Sequence, residues 1–69
     1  MKYRYAPQLR PPSFATLPFD PDWELVERGV YAPFPLRQDL PLGQHPYGVV
    51  EYPRRLTRAE CRQYDLRPI

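Results

Sequence analysis

A lone cysteine, Cys61, cannot close an intramolecular disulfide, and a lone histidine, His45, leaves no Cys/His set for structural zinc. A folded domain of this size buries only about 60% of the surface its unfolded chain exposes, so it needs stabilisation from another source. Glycine is also scarce. Gly29, Gly43 and Gly48 lie far apart, and none stands in a GxGxxG or GKS phosphate loop. His45, between Gln44 and Pro46, has no patterned serine or cysteine to serve as base for, and reads as an exposed turn residue. Asp20 and Asp22 could form a carboxylate pair, but Asp-Pro-Asp before Trp23 is better explained as the chemistry of a helix start. No enzyme activity, cofactor or metal is therefore expected.

Long hydrophobic runs are missing as well. Met1 to Arg10 holds Lys2, Arg4 and Arg10 but no apolar stretch of signal-peptide length, and no segment approaches the roughly 20 apolar residues that span a bilayer. With the lone cysteine, this predicts a cytoplasmic protein. Net charge is only +2, which gives weak long-range steering, and a pI near 8.9 falls short of a dedicated nucleic-acid domain. The charge is nevertheless segregated. Residues 1–12 carry Lys2, Arg4 and Arg10; residues 13–53 set two arginines against six carboxylates; residues 54–69 set five arginines against Glu60 and Asp65. The two basic ends either form separate recognition patches or pair with the acidic middle in the fold.

Proline is abundant. Eleven prolines each fix one φ angle and remove one backbone donor, so only short helices and strands are possible. Proline also lowers the entropy of the unfolded chain, which partly replaces the missing staples. High proline and a mean hydropathy of -0.69 resemble a linker, yet 42% hydrophobic and 14% aromatic content exceeds what a solvated linker carries. The expected class is α+β: one small domain over residues 1–69, with two to four short antiparallel strands, one definite C-terminal helix and proline-rich loops. Residues 1–12 read as a basic arm that could be flexible.

The clearest local signal is Leu56-Thr57-Arg58-Ala59-Glu60-Cys61. Thr57 and Glu60 have the spacing of a capping box and Leu56 and Cys61 that of a hydrophobic staple, which predicts a helix from about Arg58 to Tyr64. Leu66 and Pro68 then mark an extended tail. Tyr47 to Tyr52 reads as a strand, with Val50 and Tyr52 on one side and Tyr47, Val49 and Glu51 on the other. Residues 23–28 are ambiguous. Asp20-Pro21-Asp22 is a good helix start with Gly29 as a stop, but Trp23 to Glu27 alternates partly with period two; one helical turn followed by a strand or hairpin, with Glu27-Arg28-Gly29 as a turn signal, is the preferred reading. Ala32 to Leu36 and Leu40 to Gly43 read as extended pieces whose Phe34, Leu36 and Leu40 cover the core.

Arg54, Arg55, Arg58 and Arg62 gather beside Tyr52 near the predicted helix, and these five are the candidate partner-binding residues. Lys2-Tyr3-Arg4-Tyr5 repeats the interleaving of cation and aromatic. Such a surface suits phosphate contact with base stacking, but arginine and tyrosine are equally the types enriched at protein–protein hot spots.

Tyr47-Gly48-Val49-Val50-Glu51-Tyr52-Pro53, followed by Leu56, Glu60 and Tyr64-Asp65-Leu66-Arg67-Pro68, resembles a strand–helix–tail pattern of small accessory proteins and polyvalent-protein modules of phages, plasmids and conjugative elements. The resemblance implies a mobile-element inhibitor of host defence, anti-CRISPR or anti-restriction. Such an inhibitor would bind a defence complex, such as a CRISPR effector, stoichiometrically in the bacterial cytoplasm and occlude it. The alternatives are a small nucleic-acid-binding regulator and a phage assembly component.

Overall fold

The computed structural model describes residues 1–31 and 39–69. Among them the chain forms β1 (Tyr3–Pro7), β2 (Glu24–Glu27), β3 (Val49–Tyr52), α1 (Arg58–Gln63) and β4 (Leu66–Pro68). The strands make one antiparallel sheet in the order β2-β3-β1-β4, an α+β arrangement. Because β3 and β4 both run antiparallel to β1 and lie on either side of it, they are parallel to each other, and α1 is the crossover between them. The segment read as a basic arm thus supplies a central strand, and the C-terminal tail pairs with it.

Period-two alternation places Tyr5 on β1 with Val50 and Tyr52 on β3 on one face, where they join Leu17, Leu25, Leu56 and Leu66 in the core. Tyr5 and Tyr52 meet edge to face, with ring centroids 6.0 Å apart, as diagonal neighbours across two strands. Each phenol also carries a tether. The Tyr52 hydroxyl donates to the Pro18 carbonyl at 2.7 Å, and the Tyr5 hydroxyl accepts from the Leu56 N–H at 2.8 Å. Two long connections are thereby pinned to the sheet through buried hydrogen bonds. Burial pushes the Tyr52 phenol well above the ordinary tyrosine pKa, so it stays a neutral donor.

On the opposite face Arg4 and Glu51 are cross-strand partners joined at 3.0 Å, while Glu24 stands opposite Glu51 on the other side. Arg4 offsets the repulsion between those two carboxylates.

The ambiguous residues 24–27 are strand. Asp20 accepts from the Asp22 N–H in a tight turn, so Asp-Pro-Asp begins a strand and not a helix. Val26 is the extra residue of a bulge, which breaks the period-two pattern in the sequence. Gly29 is not a turn residue: the chain runs on beside residues 45–48, with the Val30 and Tyr31 N–H groups donating to the His45 and Pro46 carbonyls. A side chain at Gly29 would meet the backbone of Tyr47 and Gly48, and Gly48 itself has φ +90. Phe34 and Leu36, expected to cover the core, lie outside the described residues; Leu40 packs against the core.

Helix α1 begins as its sequence dictates. Thr57 accepts from the Glu60 N–H at 3.0 Å and the Glu60 carboxylate accepts from the Thr57 N–H at 2.8 Å. Leu56 is buried, with half-buried Cys61 against the same cluster, whereas Ala59 is exposed. The helix ends at Tyr64, and Asp65 takes the left-handed conformation, φ 55, that turns the chain into β4. Thr57→Ala is expected to lower stability by about 0.5–2 kcal/mol, read as a drop in the denaturation midpoint.

Candidate functional site

The charged ends meet. Antiparallel pairing lays the start of β1 beside the end of β4, where the Ile69 N–H donates to the Arg4 carbonyl. The crossover brings Arg55 and Arg58 to the same place. The result is an open groove of about 1000 Å³ whose lining includes the cations Lys2, Arg55 and Arg58, the rings Tyr3 and Tyr5, and the strand residues Arg4 and Glu51. Glu51 is already paired with Arg4. Leu56, Cys61, Pro68 and Ile69 give the groove an apolar lining. The two basic ends therefore form one patch rather than two, and part of each end is also paired with acidic residues.

The five sequence candidates divide. Arg55 and Arg58 line the groove, and Arg55 lies over the Tyr3 ring at 5.5 Å. Arg62 is exposed one helical turn beyond Arg58. Arg54 is committed to structure: its guanidinium grips Glu60 through two hydrogen bonds, at 3.0 and 2.9 Å, with Asp20 3.7 Å away. Tyr52 is fully buried, so it supports the sheet from within and presents no ring to a partner. Lys2 and Arg4, which the sequence places in a separate basic end, reach the groove lining through strand pairing that no local pattern reveals.

The Arg54–Glu60 fork holds the Glu60 carboxyl at about 2, chiefly through the Arg54 hydrogen bonds and next through the Thr57 N–H. Its folded pKa lies below the ordinary glutamate value of about 4.3. The fork's contribution is therefore present above that value and lost as pH falls towards the folded pKa. Both side chains are solvated, which limits its size. In an acid titration, Arg54→Gln is expected to flatten the loss of stability between about pH 5 and pH 2; an unchanged profile would place that loss elsewhere.

The groove offers little covalent chemistry. Burial, and secondarily the nearby Glu60, raises the Cys61 thiol above its usual pKa, so it is protonated and a poor nucleophile at neutral pH. Among the described residues, no three His, Cys, Asp or Glu side chains cluster as metal ligands, and no helix is long and apolar enough to cross a membrane. Chemically, exposed arginine forks beside apolar surface are suited to charge-assisted contact with an anionic group.

Exposed aromatics also lie away from the groove. Phe14 and Phe19 are 70% and 77% exposed, and Phe14 leans on Trp23 with ring centroids 5.4 Å apart. They flank Leu17, which is buried, so their exposure follows from which residue of the loop anchors it.

A family model described as "Defence against restriction A C-terminal" matches residues 1–69. Comparisons with curated proteins and with solved structures find no match.

Proposed function

The chain belongs to the Defence against restriction A C-terminal family, and from that premise we propose that it protects mobile-element DNA by binding and inhibiting a host restriction complex. The match over residues 1–69 is the observation that carries this reading. The family description names restriction, so a restriction system takes the place of a CRISPR effector as the partner; an anti-CRISPR role draws no support from it. The inhibitor acts in the bacterial cytoplasm, stoichiometrically and without chemistry.

The groove is the surface proposed for docking. Arg55 and Arg58, flanked by Lys2, offer charge-assisted contacts, and neither arginine nor Lys2 has an ion-pair partner among the described residues. Seating a partner subunit there would occlude DNA access or a conformational step. The test is transformation of an unmodified plasmid into hosts with active restriction systems. Expression of the chain is expected to raise survival in at least one of them, and no rise in any restricting host would overturn the reading.

A further inference from the structure

Resting on that reading, we infer that the groove receives an extended acidic segment of the partner protein that carries an apolar side chain, and not a nucleic-acid strand. Charge gives the first half of the argument. Lys2, Arg55 and Arg58 line the groove with no ion-pair partner among the described residues, while the charges of Arg4 and Glu51 cancel in their own pair, so an incoming ligand must bring negative charge. Planar guanidinium forks such as those of Arg55 and Arg58 match carboxylates in two-point contact.

The lining gives the second half. Leu56, Pro68 and Ile69 are apolar, and the Cys61 thiol beside them is neutral, so part of the ligand must be apolar as well. A phosphate backbone brings no such group, and its bases need aromatic faces to stack on. Two tyrosines do line the groove, but neither offers an open stacking platform: Arg55 lies over the half-buried Tyr3 ring, and Tyr5 is 4% exposed with its hydroxyl engaged. The site thus has the cations for either ligand but the apolar complement of a peptide.

The experiment is selection of a random peptide display library on the purified protein at physiological salt, with oligo-dT and a short DNA duplex measured in parallel. Enriched peptides are expected to carry Asp or Glu around a Leu, Ile or Phe. A synthetic peptide of the enriched sequence should bind about tenfold or more weakly to Arg55→Glu/Arg58→Glu and to the milder Arg55→Gln/Arg58→Gln, each verified as folded by its thermal melt. Failure to enrich acidic peptides, equal binding to the variants, or tighter binding of either DNA probe would overturn the inference. Plasmid protection is measured on the same variants. Protection that requires the arginines without acidic-peptide binding sinks the peptide inference alone, whereas acidic-peptide binding without protection in any restricting host sinks the anti-restriction reading and leaves the ligand class standing.

Discussion

Arg55→Glu together with Arg58→Glu is expected to abolish protection against restriction while leaving the protein folded. Both side chains are exposed, and surface substitutions away from caps and buried networks usually change stability by no more than roughly 0.5 kcal/mol. The exception is the contact of Arg55 with the Tyr3 ring, worth about 0.5–1 kcal/mol at an exposed site. The effect on binding is far larger. Two cations become two anions beside Glu51, so attraction for an acidic partner turns into repulsion, and like-charge juxtaposition across an interface costs several kcal/mol. Plasmid survival in a restricting host should fall to the level seen without the protein, with the melting temperature lowered by only a few degrees. A folded variant that protects as well as the parent would move the docking surface away from the groove.

The second large effect belongs to the core. Tyr52 is fully buried, meets Tyr5 edge to face and holds the Pro18 carbonyl through its hydroxyl. Truncating a large buried aromatic costs about 3–5 kcal/mol. At roughly 0.05–0.15 kcal/mol per residue, a chain of 69 residues has about 3–10 kcal/mol in all, so this loss removes from about a third to all of it. Tyr52→Ala should therefore unfold at a far lower denaturant midpoint than the parent. Tyr52→Phe isolates the tether: it keeps the ring and leaves one carbonyl without its donor, for a loss of about 1–3 kcal/mol. Denaturant melts with a common slope check both values, and a Tyr52→Ala midpoint equal to the parent's would remove this ring from the core.

Local signals were legible where short-range chemistry decides the structure. Thr57 and Glu60 satisfy each other's backbone donors within one turn, so the start of α1 could be read directly. Val50 and Tyr52 alternate with Val49 and Glu51, so the strand character and inner face of β3 were also visible. Strand β1 was obscured because Lys2 and Arg4 suggested a solvated arm. Its Tyr3–Tyr5 alternation acquires meaning only when β3 and β4 close on either side. The helix-like Asp20-Pro21-Asp22 turn and the bulge at Val26 hid β2 in the same way. For the site, the sequence marked Arg55 and Arg58 by clustering alone. That Lys2 and Arg4 join them depends on strand order, and that Arg54 and Tyr52 withdraw depends on ion pairing and burial, none of which a local pattern encodes.

The most direct test of the central claim is a titration of the purified chain into a DNA-cleavage reaction by a restriction complex against which it protects in cells. Cleavage of unmodified DNA is expected to fall in proportion to added protein, reach its floor at a fixed molar ratio to the complex, and stay there with time; Arg55→Glu/Arg58→Glu should leave cleavage untouched. Inhibition that deepens with time at catalytic amounts of the chain, or equal inhibition by the double variant, would contradict a stoichiometric inhibitor that docks through this groove.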